Sequence, residues 1–341
     1  VPVPNQTIAP PTPGATPVIS DSVPLYRVEA PAYSVVPPVA SYMVFSTLGT
    51  FHERRGEQIL LDGVGGYLPA TWGRVFGQDT EMKWGGTVDP SFDGNLFGFQ
   101  AGQDLFGRES ESGHVDRFGL FVGYTHMDGD IRGQALGWND LAVGDLDFSG
   151  TSFGGYWTHI GPGGWYLDGV LMGTWFDGNV SSKSGEGINI DGSAVTVSLE
   201  GGYPLALSDR WTLEPQGQII WNHLSIASQR DSFSAVSFDG DDAVRGRLGL
   251  RLQGKYETGS GTLQPYLKAN IWRDFSANQT VRFAGDPIVT EIEGTSLEIG
   301  GGIVADLTKS LSLFATADYT TNLGGEKTRA WEGNLGLNVK W

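Results

Sequence analysis

The end of the chain constrains its fold most. Trp331, Gly333, Leu335, Leu337, Val339 and Trp341 alternate with Glu332, Asn334, Gly336, Asn338 and Lys340. A period of two puts these sets on opposite faces of an extended strand, and a helix would mix them. The pattern recurs upstream. Phe118, Leu120, Val122 and Tyr124 alternate with Arg117, Gly119 and Phe121, and Val195, Val197 and Leu199 with Thr196, Ser198 and Glu200. Similar runs predict twelve strands, near 70–84, 95–107, 115–127, 146–160, 164–178, 192–204, 210–223, 243–256, 262–276, 291–305, 310–321 and 329–341. Glycine, with 51 residues, suits a turn-rich β chain better than a helical bundle.

The connections sort by length. Those near 107–114, 161–163, 205–209, 257–261 and 306–309 are short, whereas 128–145, 179–191, 224–242 and 277–290 are long. A soluble sandwich has no reason to alternate its loops in this way. A membrane barrel does, with short turns at one rim and long loops at the other. A spanning helix is excluded, because no run of about 18 apolar residues occurs.

The tryptophans address which face meets lipid. Trp165 and Trp175, Trp211 and Trp221, and Trp331 and Trp341 are pairs spaced by ten on one face of a strand. Ten residues tilted in a barrel climb about 23 Å, close to the height of an apolar band bounded by aromatic girdles. Trp165, Trp175, Trp211, Trp221 and Trp331 are therefore expected in such girdles. In a soluble sandwich the same residues would form a core. The opposite face collects Asp104, Asp168, Glu200, Glu214, Glu298, Asp318 and Glu332 with Arg74, Arg117, Arg245, Arg247, Arg251, Lys255, Lys268 and Lys340. A dry core accepts such charges only in pairs, whereas a polar lumen accepts them readily. Arg245, Arg247, Arg251 and Lys255 form a basic stripe, which either holds acidic parts of a plug or pairs across the lumen.

Ten of the 17 prolines fall within the first 38 residues. Residues 1–38 read as an extended linker that packs no core, and Val1 does not open a signal peptide, as in a processed piece or a cut chain. Residues 39–57 read as a helix whose stop is Arg54 and Arg55 followed by Gly56. It carries Leu48, His52, Glu53, Arg54 and Arg55, and residues 58–341 make the barrel. A twelve-stranded barrel leaves room for one object about 10–12 Å wide, the diameter of a helix.

The net charge of −17 argues against a nucleic-acid surface, and the absence of cysteine removes disulfides and thiol chemistry. Gly150–Gly154 (GTSFG) matches a nucleophile pattern but lies inside a strand. Gly300–Gly302 lacks the unit a dinucleotide site needs. The five histidines show no ligand spacing. Asp128–Asp130 and Asp239–Asp242 are loop charge or weak divalent-ion sites. No cofactor is expected.

Six stretches carry a family resemblance: Leu48–Gly56 (LGTFHERRG), Trp72–Gly77 (WGRVFG), Gly98–Phe106 (GFQAGQDLF), Leu213–Asn222 (LEPQGQIIWN), Leu263–Phe275 (LQPYLKANIWRDF) and Asn334–Trp341 (NLGLNVKW). In order and spacing they resemble the translocator domain of classical autotransporters, the type V secretion proteins of Gram-negative bacteria. The resemblance implies an all-β fold, a twelve-stranded antiparallel transmembrane β-barrel with an N-terminal α-helix in the pore. It implies an outer-membrane location among lipid and lipopolysaccharide, a covalently fused N-terminal passenger, and action as a monomer. It also implies insertion by the β-barrel assembly machinery, which would read Leu335, Leu337, Val339 and Trp341. Some members cut themselves between two asparagines; no Asn-Asn pair occurs here, so that activity is not implied. A porin and a barrel lipase or protease are the alternatives.

Overall fold

Alternating sequence becomes sheet, and the sheet closes. The computed structural model describes residues 11–18, 25–55, 70–259, 261–276, 278–308 and 310–340. Twelve strands make one antiparallel wall: β1 (Ala70–Lys83), β2 (Ser91–Glu109), β3 (Val115–Ala135), β4 (Trp138–Ile160), β5 (Tyr166–Ser182), β6 (Gly187–Gly202), β7 (Trp211–Ile226), β8 (Asp241–Gly254), β9 (Gly261–Asp274), β10 (Gly294–Asp306), β11 (Leu311–Gly325) and β12 (Lys327–Lys340). Each pairs with its neighbours in sequence, and β1 pairs with β12 from Ala70↔Lys340 to Lys83↔Lys327. Closure leaves the wall no open edge.

The pleat sends apolar side chains outward. Phe97, Leu120, Val122, Leu171, Val197 and Leu250 are all exposed on the outer face, which is the reverse of a soluble sandwich. The inner face follows a second rule, written in cross-strand pairs. Five inward aromatics lie directly opposite inward glycines: Trp72↔Gly102, Phe76↔Gly98, Phe121↔Gly154, Tyr166↔Gly202 and Phe314↔Gly336. Each ring leans over the neighbouring strand, and a Cβ at Gly98 would sit 2.3 Å from the Phe76 ring. Side chains in directly opposed pairs are close enough for a ring to cover the bare glycine.

Two expectations about the connections change. The stretch 128–145 is not a loop. It is the far end of β3 and β4, joined by Leu136 and Gly137, both at positive φ (52° and 79°). That is the geometry of a two-residue hairpin turn, whose twist matches the strands it joins. Likewise 179–191 is mostly strand, interrupted only by 183–186. The stretches 224–242 and 277–290 contribute Gln229–Arg230, Ala235–Phe238, Asn278–Phe283 and Asp286–Glu291 to a separate five-stranded sheet with Gly85–Gly86. This sheet lies at the long-hairpin rim. The rim with 110–114 and 161–165 is short-turned, as expected.

The helix also differs. Helical structure begins at Glu29, not at 39: α1 (Glu29–Ser34), α2 (Val36–Leu48) and α3 (Phe51–Arg55) follow one another. Residues 29–38 are therefore not extended linker, and Ala32, Tyr33, Val35 and Val36 are buried. Pro37 and Pro38 stand in the first turn of α2, where the missing N–H has no helical partner to lose. Pro31 holds the matching place in α1. Every residue of α2 except Ser46 is buried; a helix apolar on all sides suits a site enclosed on all sides. Met43 packs over Gly150, where an added Cβ would stand 2.6 Å from its methyl.

Gly98→Val should therefore force the Phe76 ring into the lumen, and overpacking of this kind costs about 1–3 kcal/mol. The refolded variant is expected to lose its compact, heat-modifiable gel mobility at a lower temperature than the parent. An unchanged transition would mean that the ring–glycine pairs do not tighten the wall.

Candidate functional site: the plugged pore

The break between α2 and α3 organises the pore. Gly49 has φ 62°, a conformation that other residues adopt only with strain. A Cβ there would also sit 2.8 Å from the Arg74 guanidinium. Helix α2 thus ends at Gly49, well before the stop expected at Arg54 and Arg55, and Gly56 lies outside the described residues. The wall caps the α2 end. Arg74 Nη2 donates to Thr47 O at 2.8 Å and Gln100 Nε2 to the same carbonyl at 2.7 Å, while Arg74 Nε is held by Gln100 Oε1. A buried cation at this end satisfies orphan carbonyls and complements the helix dipole.

After the glycine, Thr50-Phe51-His52-Glu53 folds as a capping box. Thr50 N donates to Glu53 Oε2 at 2.9 Å, and Glu53 N faces Thr50 Oγ1 at 3.4 Å. The wall supplies a further cap, since Phe51 N donates to Glu200 Oε2 at 2.9 Å. Each charged residue of α3 whose side chain is described meets a wall residue. His52 Nε2 lies 2.8 Å from Glu214 and its Nδ1 3.4 Å from Arg251. Arg54 pairs with Asp168, which Thr158 Oγ1 also holds at 2.6 Å. Lys268 Nζ lies 2.6 Å from Glu53, 2.9 Å from Glu298 and 3.1 Å from Asp318. Leu48 is fully buried. The Arg55 side chain lies outside the described residues.

The basic stripe resolves into separate pairs. Arg245 makes a bidentate pair with Asp274 beneath the Phe45 ring, and Arg247 pairs with Glu200. Arg251 reaches His52. Lys255 does not belong: β8 ends at Gly254, so Lys255 lies exposed at the short-turn rim beside Glu257. Lys268, not the stripe, holds Glu53, the acidic residue of α3. Arg74, Arg117, Asp168, Glu200, Arg247, Arg251 and Glu298 are buried inside, and Glu214 and Arg245 are partly buried.

On the outside, Trp175, Trp211, Trp221 and Trp331 are exposed. Trp175, Trp221 and Trp331 stand next to the polar outward residues Asp177, His223 and Arg329, so each marks an end of the apolar band. Trp165 lies in the turn before β5 and is half-buried against His114 and His159. Leu335, Leu337 and Val339 share the outward face of β12, and Trp341 lies outside the described residues. Two histidines that look scattered in sequence meet here: His114 Nδ1 is 3.1 Å from His159 Nε2, and His159 Nδ1 is 2.8 Å from Asp116. His114 stands just before β3 and His159 in β4, which pairs with β3, a proximity visible only once register is fixed. Ser152 of the GTSFG stretch is buried and bonded to Thr174, which is wall packing.

Asp168→Asn removes the carboxylate facing a buried guanidinium, and loss of one partner from such a pair costs about 3–5 kcal/mol. The variant is expected to open more often than the parent in planar bilayers at matched protein load. Equal open probability would show that the Arg54 pair does not retain the plug.

Comparison with known proteins agrees with this geometry. The autotransporter β-domain family model matches residues 71–318. The chain is 29% identical over 309 residues to the pertactin autotransporter of Bordetella parapertussis, covering 89% of this chain and 32% of that protein. It is 28% identical over 273 residues to the BrkA autotransporter of Bordetella pertussis, covering 78% of this chain and 25% of that one. It thus spans about a third or less of the length of these relatives. In structure it is similar to the transport unit of AIDA-I from Escherichia coli, with a TM-score of 0.72 at 18% identity, covering 93% of this chain and all of that one. It also resembles the β domain of the Bordetella autotransporter BrkA, with a TM-score of 0.64 at 26% identity, over 82% of this chain and all of that one. A twelve-stranded barrel closed around an N-terminal helix, matched over most of its length by that family model, belongs to the autotransporter β-domain family.

Proposed function

We propose that this chain is the outer-membrane transport unit of a longer exported protein. It anchors in the outer membrane of a Gram-negative cell and carries an N-terminally attached passenger to the surface. The pore is then closed by α1 to α3. The observation that carries this reading is the direction of the chain inside the barrel. Glu29 lies at the long-hairpin rim, where its Oε1 accepts from Ser182. Helix α3 lies toward the other rim, beside Asp168 and Glu200 near the ends of β5 and β6. The described residues before 29 stand at the same rim as Glu29, with Tyr26 bonded to Leu136 and Thr16 paired with Asn139, and it is the rim that faces outward in barrels of this build.

The outward apolar band is the lipid contact, the Trp175, Trp221 and Trp331 rings mark its edge, and the acidic hairpins above meet lipopolysaccharide. The alternating face of β12 with Leu335, Leu337 and Val339, together with Trp341 that follows in the sequence, is the signal read by the assembly machinery. The unit acts as a monomer and as a conduit rather than an enzyme. A diffusion porin needs an open bore, which α2 fills.

Removing residues 1–55 should raise single-channel conductance severalfold in planar bilayers, and an epitope fused before Val1 should be reached by antibody on intact cells. Unchanged conductance, or an epitope accessible only after lysis, would refute the reading. Trp341→Ala should lower the amount of inserted barrel in cells while the purified variant refolds in detergent as the parent does.

A further inference from the structure

We propose that the tip of the β3–β4 hairpin is a surface docking site for exported polypeptide, which it takes in extended form by strand addition. The occupant is this chain's own segment 12–18. The inference rests on the reading that residues before Glu29 lie outside the cell.

The two arms project well past the apolar band. Their outward face turns from Tyr124 and Phe153 to Asp128, Asp130, Asp145 and Asp147, all exposed. A bare hairpin reaching so far presents free backbone groups at its end. Here the emerging chain uses them. Thr16 pairs with Asn139 and Pro17 with Trp138 in antiparallel register. Val18 N donates to Gly137 O at 2.9 Å, and on the other side of the turn Leu136 N donates to Tyr26 O at 2.8 Å. The chain therefore meets the two-residue turn twice, at residue 26 as it leaves the pore and again at residue 18. Arg132, fixed by Asp140 at 3.0 Å, donates to Pro13 O at 2.8 Å. Ala142 N faces Thr12 Oγ1 at 3.4 Å, and Ala15 is buried.

Nearly all of these contacts address the backbone of the segment. Strand addition gives affinity through main-chain hydrogen bonds and asks little of the side chains. Pro17 fits such an edge because an edge strand can spare one N–H. The site would thus hold segment 12–18 extended at the surface with little demand on its side chains. Holding it there would oppose its return into the pore without any nucleotide.

The native chain has no cysteine, so introduced thiols report without background. Directly paired residues of an antiparallel ladder lie within disulfide reach. Thr16→Cys with Asn139→Cys should crosslink in most molecules on intact cells under mild oxidation. Thr16→Cys with Glu293→Cys, six strands round the barrel from β4, should not. Adding Arg132→Ala should lower the first yield severalfold, and adding Thr12→Ala should leave it. A yield for the Asn139 pair no higher than for the Glu293 pair would overturn the docking site. In the single Thr16→Cys variant, labelling by a membrane-impermeant maleimide on intact cells shows that the segment is outside. Labelling without crosslinking removes the docking site and leaves the export reading standing; no labelling removes both.

Discussion

A charge inside the barrel must find a partner there, and the placing of the plug follows from that constraint. Desolvating an ion costs several kcal/mol unless an opposite charge and hydrogen bonds replace water. Lys268 cannot leave the wall, and neither can Glu298 and Asp318 beside it. Glu53 joins them from α3. Arg54 finds Asp168, His52 finds Glu214, and the carbonyl end of α2 finds Arg74. These contacts fix the height of the helix in the pore as well as its rotation. The apolar surface of α2 supplies burial, and Thr47 Oγ1, 2.8 Å from Thr125, and Ser41 Oγ, accepting from Gln279 at 3.1 Å, add to the register.

The wall is built to admit that helix. An inward ring needs room, and the lumen has little to give once α2 is in place. Pairing a ring such as Phe76 or Phe121 with a glycine on the next strand lays the aromatic along the wall instead of across the bore. High glycine and high aromatic content thus have one cause, and that cause acts at the level of register. Gly98 and Phe76 are 22 positions apart and say nothing to each other until Phe76↔Gly98 is a ladder pair.

Alternation of period two is a local signal, so the strands, their number and their outward face were legible in the sequence. Much of the inner charge was legible for the same reason: parity assigns a face without knowledge of any partner. What failed depended on chain ends and on neighbours. Lys255 keeps the parity of Arg251 but lies past the last paired residue of β8. Pro31, Pro37 and Pro38 resemble a linker until each is seen in a first helical turn. Gly49 looks like a flaw in a long helix and is instead the joint that lets Arg74 approach. The hairpin arms beyond 128 and 179 read as loops because their polarity is reversed: Ile131, Leu146, Val180, Ile188 and Ile190 are buried inward, while Asp128, Asp145, Asn179 and Asn189 face outward where the lower strands carry apolar residues.

The ion pairs also bear on what the pore is for. A wall meant only to hold α2 could be apolar, since replacing a buried pair by well-packed hydrophobic groups is often neutral or stabilising. Arg247 with Glu200, and Lys268 with Glu298 and Asp318, join wall to wall and need no helix to be satisfied. They would remain paired in a lumen filled by water or by another polypeptide. An apolar lining would instead collapse on any apolar chain in transit and resist any polar one. Asp168, Glu214 and Arg74 take partners from the helices and would exchange them for water or for a chain in transit. Such a wall keeps its Arg247–Glu200 and Lys268–Glu298 pairs whether the lumen holds water, another polypeptide or the helices.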